Sequence, residues 1–463
     1  MKSTKKSAEF DVIVIGGGQA GIPLAHALAG AKKKVVLIER THLGGSCVNF
    51  GCIPTKAAIA SARVAHLAGR AKEFGLKIAA VEVDFPAVLK RARDIAAESR
   101  TSLEEDFKNV KNLELIYGQA KLIGKNKSNL FEIQVGKNVL TAKEIVLNTG
   151  TRSVIPEIEG IREIKFIDAG NWLRHEELPK HLIVLGGSYI GLEMAQFYRR
   201  MGSRVSVVET NPQIASREDK EVADALQRFL EAEKIEFHLG ANVSKVEKKA
   251  DGISVTIKGK SKSKTLKGSH LFVAVGRKPN TDDLGLESVG VKVDEKGIVK
   301  VNQRLATNVK GIWAAGDIRG GFQFTPTAWD DYRILESQLI GDQSRTTKRI
   351  VPYAMFTDPE LGRVGLTEKE AREKNLKFKI GRFEMKSNGK AREIGEPNGF
   401  IKVLINEKTD KFIGATVLAN EAAEIVHSYV DLMNANAKYT VLRDSLHIHP
   451  TLAEAIQSAV KLD

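Results

Sequence analysis

Asp11-Val12-Ile13-Val14-Ile15-Gly16-Gly17-Gly18-Gln19-Ala20-Gly21 reads as a short strand that turns sharply into a helix. Val12 to Ile15 are apolar and β-branched, the composition of a strand covered on both faces. Gly16, Gly18 and Gly21 have the spacing G-x-G-x-x-G. The first glycine allows the tight turn, the second lets the backbone approach a pyrophosphate, and the third lets the helix pack on the strand. The pyrophosphate then lies on the helix N-terminus, whose free N–H groups and dipole favour an anion. A second strand, Lys34 to Ile38, ends in Glu39, a carboxylate placed for ribose hydroxyls. Together these parts predict a βαβ unit that binds a dinucleotide.

The pattern returns later in the chain. Leu182 to Leu185 is the strand, Gly186-Gly187-Ser188-Tyr189-Ile190-Gly191 the turn, Val205 to Val208 the second strand, and Glu209 stands where Glu39 stood. Ser188 takes the place of the middle glycine and is small enough to keep the backbone accessible. Two such units in one chain imply two dinucleotides. The terminal acid Glu209 favours a free ribose 2′-OH, hence NAD over NADP, although Arg204 and Arg217 stand close enough in sequence to serve a 2′-phosphate.

Cys47 and Cys52 are the only two cysteines, held together in Gly44-Gly45-Ser46-Cys47-Val48-Asn49-Phe50-Gly51-Cys52. A C-x4-C pair just after a nucleotide loop, with no other thiol in the chain, reads as a redox centre. The adjacent dinucleotide is then FAD and the second one a nicotinamide nucleotide.

With 463 residues the length fits about three domains. An apolar content of 42% is that of a globular protein, and no apolar run approaches the ~20 residues of a membrane span. The polar, Lys-rich start (Met1 to Glu9) has no apolar core of the kind a signal peptide carries, and two exchange-competent cysteines suit a reducing cytosol, so a cytoplasmic location is expected. The net charge of +14 concentrates at Lys258 to Lys267, read as a solvated hairpin tip. No nucleic-acid module accompanies it, and neither nucleic acid, nor membrane, nor a metal site is expected.

Helical periods cover residues 57–74 and 86–106, and strands fill 113–148. From about 351 the pattern changes to strands (382–386, 400–405, 411–418) followed by helices (420–436, 440–446, 451–460), a separate α+β domain.

Over nearly its whole length the chain resembles the class I flavoprotein pyridine nucleotide–disulfide oxidoreductases, the group of dihydrolipoamide dehydrogenase, glutathione reductase and mercuric reductase. The Cys47–Cys52 segment resembles their redox motif. Gly316-Asp317 resembles the second FAD motif, Thr149-Gly150 and Gly276-Arg277-Lys278-Pro279-Asn280 the crossover motifs, and His447-Ile448-His449-Pro450-Thr451-Leu452-Ala453-Glu454 the C-terminal catalytic motif. Within the group, residues 186–193, Ala328 to Leu335 and the His-Ile-His-Pro-Thr run look most like the mercuric-reductase-like members. The extra cysteine pair of true mercuric reductases is lacking.

The resemblance implies an α/β fold with two Rossmann-like domains plus a C-terminal α+β dimerisation domain. Its expected boundaries are 1–155 (FAD, with the thiol pair), 156–280 (NAD(P)), 281–350 (second FAD segment) and 351–463 (dimerisation). Contacts to FAD are expected from Gly16, Gly18, Gly21, Glu39, Gly45, Ser46, Lys56, Ala120, Thr149, Gly150, Asp317, Thr325 and Ala328. Those to NAD(P) are expected from Gly186, Gly187, Ser188, Tyr189, Ile190, Gly191, Glu209, Val243 and Gly276. Hydride passes from the nicotinamide to FAD, and electrons then pass to Cys47–Cys52. By resemblance Cys52 is the flavin-side sulfur and Cys47 the outward interchange thiol. Lys56 and Glu193 match an ion pair beside the flavin, and Tyr189 a residue that covers the nicotinamide pocket.

His449 is the expected acid–base group, with Glu454 fixing its tautomer and His449–Pro450 expected to be cis. His447 is read as structural. In the family this histidine serves the thiol pair of the other subunit, so a homodimer is expected. The expected substrate is a small dithiol or disulfide of lipoyl type. A flavin reductase of metal ions, quinones or oxidants in stress defence is the alternative, and a flavin-bearing binding protein with little turnover is the alternative of another class.

Overall fold

The computed structural model describes residues 8–259 and 263–462. Strand Ala8–Ile15 lies between Val35–Glu39 and Asn138–Leu147 and is parallel to both. Leu113–Tyr117 extends one side of this sheet, and Ile312–Ala314 joins the other by pairing with the end of Asn138–Leu147. The start of that same long strand pairs antiparallel with Phe131–Val135, which pairs with Ala120–Lys125. Ile13, Val14, Val36, Leu37, Ile145 and Val146 are fully buried, which explains their unbroken apolar runs. Each such side chain contributes roughly 1.5–3 kcal/mol on leaving water.

A second parallel sheet has the order Ile235–Leu239, Arg204–Glu209, His181–Leu185, His270–Val273 and Ile167–Asp168. Beside it lies an antiparallel sheet of Asn242–Lys249, Gly252–Lys258 and Ser263–Gly268. The lysine-rich stretch therefore falls on two paired strands, while its expected tip at 260–262 lies outside the described residues. The chain leaves the first sheet through Thr151–Ser153 and returns through Arg277–Pro279, and these two short strands pair antiparallel with each other.

The last sheet is antiparallel, in the order Tyr353–Met355, Glu360–Gly365, Phe412–Ala419, Phe400–Asn406 and Phe378–Glu384. Its helices are shorter than the periodicity predicts. The 420–436 stretch breaks into Ala422–Ile425 and His427–Asn434, and 451–460 holds only the single turn Ala455–Ser458. There Thr451 Oγ1 accepts the Glu454 N–H at 3.1 Å, a side-chain bond that takes the place of a helical one.

The helix expected at 57–74 begins earlier, at Cys52, and ends at Gly69, followed by a 3₁₀ turn Ala71–Phe74. Helix Phe85–Asp106 starts where Asp84 accepts the Ala87 N–H at 3.0 Å, with proline in its first turn.

An ion network fastens the thiol helix to the end of helix Tyr189–Arg200 and to the segment before strand Glu360–Gly365. Asp358 receives Arg63 at 2.5 Å and Arg200 at 2.8 Å, and Arg200 also reaches Glu233 at 2.7 Å.

Candidate functional site

Both glycine loops open onto one cleft of about 1320 Å³. Ordinary single-ligand pockets hold ~300–1,000 Å³, so this one has room for two dinucleotide ends to meet. The loops are built alike. Glu39 accepts the Gly17 N–H at 2.8 Å, and Glu209 accepts the Gly187 N–H at 2.6 Å. A side chain at Gly16 would strike the Asn148 carbonyl oxygen at 2.2 Å, and Gly16 has φ +108°. Gly21 and Gly191 do not line the cleft, because they are packing glycines. A Cβ on either would meet the carbonyl of Gly16 or Gly186 at 2.2 and 2.0 Å. Gly187 is likewise turned away, toward Glu209.

The remaining expected dinucleotide contacts all line the cleft, from Gly45, Ser46, Ala120, Thr149 and Gly150 to Asp317, Thr325 and Ala328, and on the other side Ser188, Tyr189, Ile190, Val243 and Gly276. The bare loop backbone and the ribose-side acids match the donor set a bound FAD and a second dinucleotide require.

The thiols sit where a helix starts. Gly44 and Gly45 have positive φ, and the chain coils through Gly45–Asn49 before helix Cys52–Gly69 begins. Asn49 Nδ2 donates to the carbonyls of Leu43 and Gly45 at 2.8 and 2.9 Å, which pins the loop between the cysteines. Both cysteines are free thiols, and Cys52 is exposed to the cleft while protein atoms wall its other sides. A hydrogen bond from Cys47 lowers the Cys52 thiol to about 6, helped by the Thr325 hydroxyl and the charge of Lys56. The same bond, with burial, pushes Cys47 up. Thr325 Oγ1 stands 3.3 Å from Cys52 Sγ.

One turn along the helix, Lys56 Nζ pairs with Glu193 Oε2 at 2.9 Å and lies 4.4 Å from the centre of the Phe356 ring. Glu193 Oε1 accepts the Phe356 N–H at 2.9 Å, so the carboxylate is held from two sides.

His449 is not among the residues that line this cleft. It stands at the far end of the chain, 76% exposed, with Nδ1 at 2.9 Å from Glu454 Oε2. Leu446 and Ile448 beside it are also exposed, at 102% and 80%. The His449–Pro450 peptide is cis, as is Asp358–Pro359. His447 is half-buried.

Sequence reading missed two positions. Asn148 accepts the Gly21 N–H at 2.9 Å and donates to the Ala315 carbonyl at 2.8 Å, tying the first glycine loop to the strand before Gly316-Asp317. Asp331 is fully buried and accepts the Gly316 N–H at 2.8 Å, together with Arg319 at 2.6 Å and Arg349 at 2.7 Å. The only sequence signal was a polar residue ending a buried strand, and an Asp on the inner face of a helix. Among the described residues, the one acid cluster close enough for a cation (Asp219, Glu221, Glu368) already surrounds Lys402 Nζ.

A pair of thiols between two dinucleotide loops, backed by a lysine paired with a buried glutamate, defines a flavin-dependent disulfide oxidoreductase. Comparison with known proteins makes the class specific. Residues 10–331 match the pyridine nucleotide-disulphide oxidoreductase family and residues 351–460 match its dimerisation domain. The chain belongs to this family, and it is an FAD-dependent enzyme that also uses a pyridine nucleotide.

It is 32% identical over 459 residues to the probable pyridine nucleotide-disulfide oxidoreductase RclA of Escherichia coli, covering 98% of this chain and 99% of that one. It is 33% identical to a dihydrolipoyl dehydrogenase of Cupriavidus necator, covering 98% of each. Among solved structures, the Cu(II) complex of the HOCl-induced flavoprotein disulfide reductase RclA from Escherichia coli superposes with a TM-score of 0.88 at 32% identity, over 97% of this chain and 100% of that one. Among the described residues no helix is long and apolar enough to cross a membrane.

Proposed function

We propose that this chain is a homodimeric, cytoplasmic NADH:disulfide oxidoreductase in which NADH, a proton and a disulfide give NAD⁺ and two thiols. The observation that carries the reading is the Cys47–Cys52 pair itself, with the Cys52 thiol lowered to about 6 beside Thr325 and Lys56. FAD, when bound, takes two electrons from the nicotinamide and passes them to the pair. Residues 1–155 and 281–350 serve FAD, 156–280 serve the nicotinamide nucleotide, and 351–463 serve the dimer.

Cys52 keeps its sulfur as thiolate on the flavin side, and Cys47 attacks the substrate disulfide, breaking its S–S bond and forming a mixed disulfide. Cys52 then attacks Cys47, re-forms the internal disulfide and releases the second thiol. His449 of the opposite subunit takes the Cys47 proton as that thiol attacks and returns it to the first leaving thiolate, and the second thiolate takes its proton from solvent. Glu454 holds Nδ1 and leaves Nε2 to work. The exposure of His449 and of Leu446 and Ile448 beside it supports this placement across a dimer.

Glu209 supports NADH as the donor. Its carboxylate is fixed by Gly187 at 2.6 Å and by the Asn211 N–H at 2.8 Å, where it accepts from a ribose hydroxyl and repels a 2′-phosphate. Anaerobic titration with NADH and NADPH, followed by lipoamide as oxidant, tests the whole reading. Failure of lipoamide and other small disulfides to reoxidise the reduced protein refutes it.

A second reading has its own support in the likeness to a reductase described as HOCl-induced and solved with Cu(II). Here the reduced thiols serve metal ions, quinones or oxidants in stress defence, as in mercuric-reductase-like enzymes. Faster turnover with Cu(II) or a quinone than with lipoamide selects it.

A further inference from the structure

Tyr189 is the first residue of helix Tyr189–Arg200, directly after the second glycine loop. Glu193, one turn on along the same face, reaches Lys56. A nicotinamide extending from the Gly186–Gly191 loop toward the Lys56–Glu193 pair must therefore cross the Tyr189 side chain. That side chain is firmly held. Its ring lies 6.0 Å from Phe324 at 28° and 5.8 Å from Tyr353 at 31°. Its hydroxyl donates to Glu218 Oε1 at 2.6 Å, and the Tyr353 hydroxyl donates to the same oxygen at 3.0 Å.

The other Glu218 oxygen faces Arg363 Nε at 3.3 Å, with the two side chains 1% and 2% exposed. Arg363 projects from strand Glu360–Gly365 of the dimerisation sheet and donates to the Ala415 carbonyl at 3.3 Å and to Thr416 Oγ1. The next residue repeats the arrangement. Asp219 accepts the N–H groups of Glu368 and Lys369 at 3.0 and 3.1 Å and pairs with the buried Lys402 at 3.4 Å. Glu218 and Asp219 are thus bolted to the dimerisation sheet by two buried cations.

We propose that Glu218 is a positioning residue that latches Tyr189 across the path of the nicotinamide, with Arg363 as the anchor of the latch. The inference rests on a nicotinamide nucleotide being the electron donor. A phenol donating to a carboxylate forms a charge-assisted bond, about twice as strong as a neutral one. Arg363 lies against that carboxylate where both side chains are shut off from water, and removing either partner would leave the other charge buried alone. Opening the path breaks the Tyr189–Glu218 bond, so the open form is the minor one and apparent nucleotide affinity is reduced by its population. Packing alone would need only the ring, because a phenylalanine keeps every stacking contact. The hydroxyl and its buried acid are what make the contact a latch.

The test is anaerobic stopped-flow reduction of the FAD-loaded protein by NADH over a range of concentrations, with oxygen uptake measured separately. Tyr189→Phe removes the hydroxyl and keeps the ring. The half-saturating NADH concentration should fall about ten-fold, by more than the limiting rate changes, and NADH-driven oxygen uptake should rise. Glu218→Gln should move both quantities the same way, and combining it with Tyr189→Phe should add little. An unchanged or raised half-saturating concentration in Tyr189→Phe overturns the latch, and this variant decides alone if Glu218→Gln does not fold. A wild-type flavin that neither NADH nor NADPH reduces overturns the donor reading instead, and the latch with it.

Discussion

Cys52 gains its low thiol value from three neighbours, and each can be removed separately. The folded value of about 6 lies below the ordinary ~8.5 of a free cysteine, so in the reduced protein the thiolate persists at neutral pH and is lost as pH falls through about 6. Thiolate ultraviolet absorbance of the reduced protein should titrate with that midpoint. Thr325→Val deletes one lowering hydrogen bond and should move the midpoint up; Cys47→Ala deletes the largest and should move it further. An unchanged midpoint in both variants would show that the helix start alone sets the value.

The Lys56–Glu193 pair makes a parallel case. Lys56→Met leaves the buried Glu193 carboxylate with only the Phe356 N–H and should slow flavin reduction by NADH on the order of 10²-fold, with substrate-side exchange at the thiols less affected.

Among the elements, Asn148 and Asp331 join parts that lie far apart in the chain. Asn148→Ala leaves the Gly21 N–H and the Ala315 carbonyl buried without partners, at about 1–3 kcal/mol each, and should lower both melting temperature and FAD retention. Asp331→Asn weakens two buried arginine contacts and the Gly316 turn, and should release FAD at lower denaturant than the wild type.

These elements also show what could be read from the chain. The glycine loops, their terminal acids and the thiol segment were legible because each carries its chemistry within about 30 residues. The partners of Asn148 lie 127 and 167 residues away, and no local pattern signals such a bond. The same holds for Glu218 with Arg363, whose meaning exists only once two sheets meet. The helix start near Cys52 was legible from the redox segment, although the helical period of the sequence begins only at 57. The C-terminal helices were drawn too long: 420–436 breaks at Val426, and the Thr451 hydroxyl takes the Glu454 N–H at the start of 451–460.

At the scale of the whole molecule, the separation of His449 from the thiol cleft gives a test that no single variant provides. Cys47→Ser and His449→Ala chains should each be inactive as homodimers. Unfolded together and refolded, they should recover about a quarter of wild-type activity, since half the dimers are hybrid and each hybrid restores one site. Recovery of nothing, with dimers present by light scattering, would show that both groups act within one chain.

The strands Thr151–Ser153 and Arg277–Pro279 carry one more consequence. They bring Ser153 and Arg277 face to face at the spacing of neighbouring strands, ~5 Å apart. Everything between them leaves and rejoins the first sheet at this one doorway, while Arg200–Asp358 and Asp219–Lys402 tie its far side to the rest of the molecule. A short turn could close the gap between Ser153 and Arg277, at the cost of taking Glu193 from Lys56 and uncovering Ala58, Ala62, Phe85 and Leu89. The shortened chain would keep every strand of the first sheet while losing the second glycine loop. The second glycine loop is thus carried on a unit with one covalent doorway and several electrostatic latches, so weakening the latches should loosen it while the doorway holds.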